Sequence, residues 1–307
     1  MYSLNQRFDN RDIPEDEFMT SGNLACAGCG ASLSMRLALK GLGKPTVLVV
    51  PACCWTIIPG IWSSSTMDVP LFHCAFETTG ATISGVKAAY RQRGMDEICV
   101  VGWAGDGGTF DIGIQALSGT AERNDDVIYV CYDNEAYMNT GIQRSSATPK
   151  GSWTTTTPVK RPKFEQKKDF DEIMLAHRIP YLATATAAYP QDMIAKFKKA
   201  RSIKGTKFIH LLAACPTGWR MPENLSIEVM RLAVLSNIFP LYEAHDAELF
   251  TQTVIPDEII PVEKYIHLQG RFRHLTEQDI TEYQKMVDKR FERFQERFEK
   301  GKTSLPK

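Results

Sequence analysis

Neither sign of charge is in excess in this 307-residue chain, where lysine and arginine total 36, as do aspartate and glutamate. A balanced chain sets up no overall field toward nucleic acid or an anionic membrane, so any ligand has to be recognised locally. Long apolar runs are missing as well: none approaches the roughly 20 residues that cross a bilayer. The opening MYSLNQRFDNRDIPEDEF is polar and acidic, unlike an export signal. No segment repeats at a fixed period and none is of low complexity, which excludes solenoids and flexible linkers. A globular, cytoplasmic protein that binds neither nucleic acid nor membrane is expected. Its 43% of hydrophobic residues suffice for one large core or two moderate ones.

Eight cysteines are present. Without an export signal they are poor candidates for disulfides, because the cytosol keeps thiols reduced. Some are expected as ligands and the others as core.

Short β-branched runs recur at 46–50, 98–102, 127–132, 181–184 and 207–212. Stretches of helical spacing at 32–42, 79–93, 111–123 and 191–201 lie between them. Strands alternating with helices of ten or more residues predict a doubly wound, mostly parallel α/β sheet covered on both faces. GIQRSSATPKGSWTTTTPVKRPKFEQKK (141–168) holds three prolines and many hydroxyls, which predicts an extended surface loop. Residues 275–300 place Phe and Met among charges at helical spacing, predicting an amphipathic helix that packs on its own domain rather than on a partner. The organisation expected is an N-terminal arm (1–20), a main domain (21–240) and a C-terminal extension carrying that helix (241–307).

Ligands of open α/β sheets sit at the carboxyl ends of strands, and two segments there are unusual. In GWAGDGGTFDIG (102–113), Gly105, Gly107 and Gly108 are expected to permit positive φ and close backbone approach. A helix starting near Thr109 would offer free N–H groups to a phosphate. Asp106 sits inside this cradle, where a bare carboxylate would repel phosphate, so a cation is the natural mediator. Mg²⁺ takes six hard oxygens and commonly only a few from protein. The second segment, YVCYDNEAYMNTG (129–141), places Asn134 28 residues after Asp106, about one helix plus one strand returning to the same edge. The Asn134 amide oxygen and the Ala136 carbonyl can turn toward the same ion. Each loop alone is equally well read as a helix cap or an ordinary turn. Jointly they resemble the diphosphate-binding motif of thiamine diphosphate enzymes, with Asp106, Asn134 and Ala136 as the implied Mg²⁺ ligands.

CAGC (26–29) can present two thiolates to one metal centre. Cys53 or Cys54 and Cys215, each just after a predicted strand, can complete four ligands on the same edge. Zinc and an iron–sulfur cube are equally compatible with that set. Cys99 and Cys131 fall within predicted strands and are expected in the core; Cys74 fits either role.

Taken together, LACAGCGASLSMRLALKG, GWAGDGGTFDIGIQALSGTAERN, YVCYDNEAYMNTGIQRSSATPKG, AACPTGW and LQGRFRHLTEQDI resemble the β subunit of pyruvate:ferredoxin oxidoreductase and its 2-oxoacid:ferredoxin relatives. The resemblance implies thiamine diphosphate, Mg²⁺ and a [4Fe-4S] cluster ligated by Cys26, Cys29, Cys54 and Cys215. Cys54 is preferred over Cys53 because Trp62, eight residues on, keeps the family register. It implies that Asn139 reaches the 2-oxoacid or its adduct. Some single-chain members carry an acid where this chain has Ala31, so that thiamine contact does not transfer.

The implied activity is oxidative decarboxylation of a 2-oxoacid, pyruvate first, with electrons passing to the cluster and ferredoxin and the acyl group to coenzyme A. Oxalate, 2-oxoisovalerate and phenylglyoxylate are the alternative substrates. The implied partners are an α chain carrying the pyrimidine-binding module with its activating glutamate, and γ/δ-type subunits with ferredoxin-like clusters. Glu77 is read as structural or at the subunit contact. Two other readings compete: a non-redox thiamine decarboxylase with structural zinc, and a non-catalytic assembly subunit.

Overall fold

The computed structural model describes residues 13–61 and 64–304. Most of the expected N-terminal arm, and Trp62 of the register argument, lie outside them. In chain order the elements are α1 (Gly30–Leu42), β1 (Thr46–Pro51), β2 (Leu71–Cys74), α2 (Thr79–Gln92), β3 (Cys99–Gly105), α3 (Ile114–Glu122) and β4 (Ile128–Asp133). After a long connection come α4 (Phe170–Ala176), β5 (Tyr181–Thr186), α5 (Pro190–Ser202), β6 (Lys207–Leu212), the single turn α6 (Pro216–Trp219) and α7 (Ser226–Leu235). β7 (Leu241–His245), β8 (Leu249–Val254), α8 (Val262–His267) and α9 (Glu277–Ser304) complete the chain.

The strands form one eight-stranded sheet in the order β2-β1-β3-β4-β6-β5-β7-β8. The first six of these are parallel, and β7 and β8 add antiparallel at one edge. Strands β1, β3, β4, β5 and β6 stand where the β-branched runs predicted them. The central ones are buried along their whole length, as a parallel sheet covered on both faces requires. One face packs on α1 and α5 and is filled by Met35, Leu39, Trp103 and Phe197. The other is filled by Ile83, Phe110, Leu117, Tyr129 and Phe208.

The sheet runs on past residue 240 without a break, because β7 pairs with β5. Val287, Phe291, Phe294 and Phe298 of α9 are buried, and the helix lies along β8 and the Tyr242 ring. This is the self-packing its periodicity predicted. Burying each phenylalanine is worth about 2 kcal/mol, which holds the helix without help from α-helical propensity.

The connection at 134–169 contains no helix or strand, as expected, but it is not confined to the surface. Ser145, Ala147, Thr148, Ser152 and Lys163 are buried. The Lys163 ammonium supplies the reason: it donates to the carbonyls of Thr148 (2.5 Å) and Ser146 (3.2 Å), satisfying backbone that no sheet reaches.

Candidate cofactor site

β3 and β4 are neighbours in register, Gly105 opposite Tyr132, so the residues following each strand emerge side by side. Asp106 follows β3 and is 1% exposed. One end of the Asn134 amide lies 2.9 Å from Asp106 Oδ1 and 3.0 Å from the Ala136 carbonyl oxygen. Three groups from two loops therefore converge on one point. With no ion present the amide NH₂ would take that position. With its oxygen there, the separations equal the edge of an octahedron whose ligands stand about 2.0–2.1 Å from Mg²⁺, which is about 2.9 Å. The electrostatics agree with a cation: burial, and after it the nearby Asp133 carboxylate, push Asp106 well above the usual carboxylate range. Among the described residues, the only side-chain hydroxyl on Asp106 is Ser145, whose Oγ donates to Oδ2 at 2.5 Å. Such a carboxylate lacks a partner of opposite charge.

The glycines are needed for a reason other than the one expected. None of Gly105, Gly107 and Gly108 has a positive φ. A Cβ on Gly107 would meet the Tyr137 ring at 2.3 Å and one on Gly108 would meet Phe76 at 3.1 Å. What the sequence requires is clearance for aromatic rings, and Tyr137 is then fixed by donating to Asp111 Oδ2 at 2.7 Å. The helical turn starts at once after Asp106 as a wide π turn over Gly107–Asp111, and the N–H groups of its first residues have no helical partner. Thr109 faces inward instead: its hydroxyl donates to the Gly105 carbonyl at 2.8 Å and meets the Tyr129 hydroxyl. Only its backbone can serve a ligand.

The second loop is locked by a charge network. Glu135 adopts φ +67°, and its N–H donates to Asp133 Oδ1 at 2.9 Å, closing the turn. Lys167 bridges Asp133 (2.5 Å) and Glu135 (2.8 Å). Arg271 reaches the other Glu135 oxygen at 2.6 Å and stacks 4.1 Å over Trp219, whose Nε1 donates to the Asn134 carbonyl at 2.8 Å. His210 stands between Asp133 (3.0 Å) and Asp171 (2.8 Å). Burial opposes its charge, but Asp171 and Asp133 prevail and raise it to about 9. For Asp133, burial is likewise overcome, by Lys167 and His210, and its carboxyl falls to about 2. This network, and Ser145, were not found from the sequence. Arg271 had a signal, being part of LQGRFRHL.

A small cavity of about 50 Å³ opens onto Asp106, Asn134, Ala136 and Asn139, and both Cys53 and Cys54 line it too. The oxygen donors and two neighbouring cysteines thus share one space. The CAGC turn is clamped by backbone contacts: Gly30 N–H donates to the Ala214 carbonyl at 3.0 Å, just before Cys215. Gly28, at φ +70°, has no room for a Cβ, which would stand 2.3 Å from the Glu223 carbonyl. The Cys215 thiol accepts from Gly218 N–H at 3.4 Å, a bond that favours the thiolate. Burial, then Cys53, Cys215 and Cys29 in turn, push the Cys54 thiol up to about 12. Cys53 caps its own short turn and bonds Tyr132, and burial leads in raising it to about 11. Cys54 therefore has Cys215 and Cys29 as neighbours, while the Cys53 thiol is hydrogen-bonded to Tyr132. Among the described residues no three His, Cys, Asp or Glu side chains stand close enough to hold a single metal ion. Cys131 is buried in β4 and Cys99 opens β3, both in the sheet. Glu77 is exposed on the loop before α2.

A mostly parallel sheet with two acid-amide loops meeting at adjacent strand ends defines a thiamine diphosphate-binding fold. The thiamine pyrophosphate enzyme C-terminal TPP-binding domain family matches residues 61–211. Among curated proteins, the ketoisovalerate oxidoreductase subunit VorB of Pyrococcus furiosus is 55% identical over 92% of this chain and 93% of its own. The pyruvate synthase subunit PorB of Methanothermobacter marburgensis is 48% identical over 90% of this chain and 96% of its own. The chain belongs to the β-subunit family of the 2-oxoacid:ferredoxin oxidoreductases. A solved 2-oxoglutarate:ferredoxin oxidoreductase from Magnetococcus marinus shares the fold, with a TM-score of 0.58 at 22% identity over 75% of this chain and 84% of that one.

Proposed function

We propose that this chain binds thiamine diphosphate through Mg²⁺ held by Asp106, Asn134 and Ala136, and a [4Fe-4S] cluster through Cys26, Cys29, Cys54 and Cys215. In this reading it works with a partner α chain in the oxidative decarboxylation of a short aliphatic 2-oxoacid. The observation that carries the reading is the convergence of three oxygen donors, 2.9 and 3.0 Å apart, in a cavity that Cys54 also lines. When bound, thiamine diphosphate supplies the carbanion-stabilising chemistry that releases carbon dioxide, and a cluster accepts electrons one at a time.

The residues of this chain have separable tasks. Asp106 supplies charge, and Asn134 and Ala136 supply neutral oxygens, so the ion keeps net positive charge for the diphosphate. N–H groups of the turn beginning at Gly107 meet the phosphate oxygens. Phe76, Tyr132, Tyr137 and Met138 wall the cavity and exclude water. Asn139, on the same wall, offers an amide to the substrate. Coenzyme A is the acyl acceptor in this reading, and ferredoxin or γ/δ-type subunits take the electrons onward.

Pyruvate is the first substrate to test. The 55% identity with the ketoisovalerate subunit, against 48% with a pyruvate synthase subunit, favours 2-oxoisovalerate as the second. The assay uses the complex purified with its partner chains, a panel of 2-oxoacids with and without coenzyme A, and a low-potential dye as acceptor. Dye reduction on one or both acids, and a brown absorbance bleached by dithionite, are expected. A colourless, zinc-containing complex that releases carbon dioxide without reducing the dye would overturn the redox reading.

A further inference from the structure

We propose that the chain carries a second ligand site, for an organic anion with an apolar body, in the cavity beneath α9. This cavity, about 470 Å³, is separate from the cofactor cavity. The two lie on opposite sides of the loop after β4: Glu135 lines one, while Asn134 and Ala136 line the other. Its volume is that of a small-molecule pocket.

The walls are sorted by chemistry. Leu212, Phe239, Tyr242, Met286 and Phe294 form an apolar interior. Lys150, Lys168, Lys289, Arg290 and Arg293 also line it. The acids in the same wall are already engaged. Asp171 accepts from Tyr242 (3.3 Å) and pairs with His210, and Asp169 accepts from the Glu172 N–H at the start of α4. Glu135 is held by Lys167 and Arg271. Lys168 is engaged as well, by Asp111 (3.6 Å) and the Phe110 carbonyl, but other cations are less well matched. Lys289 and Arg293, one turn apart on α9, make no ion pair with any described residue. Arg290 donates through Nη2 to the Asn237 (3.1 Å) and Ile238 carbonyls, yet its Nε is buried with no acceptor. A buried guanidinium N–H without a partner is costly, a cost that an anionic head group within the cavity would remove. Apolar walls and unmatched cations together select an amphipathic anion over a neutral lipid or a bare inorganic ion.

The test is equilibrium dialysis of the assembled complex against octanoate, octyl phosphate, octanol and inorganic phosphate. One octanoate or octyl phosphate per chain is expected, the tighter of the two assigning the head group, with octanol and phosphate at least about tenfold weaker. The double substitution Lys289→Glu with Arg293→Glu, on exposed positions outside the cofactor site, should weaken binding at least about fivefold. Met286→Trp should fill the cavity and remove the site. Octanoate and octyl phosphate binding that is unchanged in the charge-reversed complex, or octanol binding as tightly as they do, would overturn the proposal. Binding is read directly, so the result stands apart from the outcome of the dye assay.

Discussion

The proposed oxygen donors and the proposed sulfur donors of this chain are positioned by different physics. Asp106, Asn134 and Ala136 follow the two adjacent strands β3 and β4 and are fixed by charge: Lys167, Arg271, His210 and Asp171 surround the loop. The cysteines come from three separate segments and are fixed by steric clearance, with Gly28 and Gly30 pressed against the backbones of Glu223 and Ala214. A hard divalent ion rewards donors held rigidly before it arrives. Thiolates gain most of their order from the metal they bind, so the protein need only bring the segments together.

This difference predicts that the two sites can be damaged independently. The largest effect is expected of Asp106→Ala, which removes the sole anionic oxygen and should weaken Mg²⁺-dependent thiamine diphosphate binding by more than about 100-fold. Iron content should stay intact; loss of iron with thiamine binding retained would reverse the assignment. Cys215→Ser should do the opposite, lowering iron by at least one cluster per chain while thiamine diphosphate still binds. Gly28→Ala sharpens the claim about clearance, since it changes no ligand. With its Cβ against a carbonyl and a left-handed φ, it costs about 1–3 kcal/mol locally, and reduced iron occupancy in an otherwise folded complex is the expected readout.

The charge-fixed side has a pH signature that sets in below that of the thiols, whose raised values cost stability only as pH climbs past their ordinary 9. His210 is raised from an ordinary 6.5 to about 9. Its contribution to stability is therefore full below about pH 6.5 and is lost as pH rises through 9. Urea unfolding should show a loss on the order of 2 kcal/mol between pH 7 and 9.5, much reduced in Asp171→Asn. A flat profile in both proteins would remove the imidazolium from the account. The smallest effect is expected of Arg271→Lys, which keeps the charge but cannot both fork onto Glu135 and stack on Trp219. We expect about a tenfold weaker cofactor affinity with unchanged iron, measured by titrating the diphosphate.

The parallel core was legible because each central strand is buried on both faces and reads as a β-branched run. LFHC of β2 is too short and too exposed to leave such a run, and LYEAH of β7 carries Glu243 within it, so the sheet's two flanks were missed. That Asp106, Asn134 and Ala136 come together was legible because spacing encodes the return of one helix and one strand. Ser145 was not, since a hydroxyl in a loop of hydroxyls has no pattern of its own. The role of Gly107 was misjudged for a similar reason: the ring that demands its missing Cβ belongs to Tyr137, thirty residues away and in contact only after folding.

The two flanks also differ from each other. β8 is sealed, with α9 against it so closely that Gly301 rests on the Phe250 backbone. β2 ends the opposite flank with four residues, and Phe72 is 54% exposed. The molecule therefore has a finished end and a growing end. An assembly that continues the sheet has the exposed β2 flank open to it, which would give a quaternary structure built on this chain a direction.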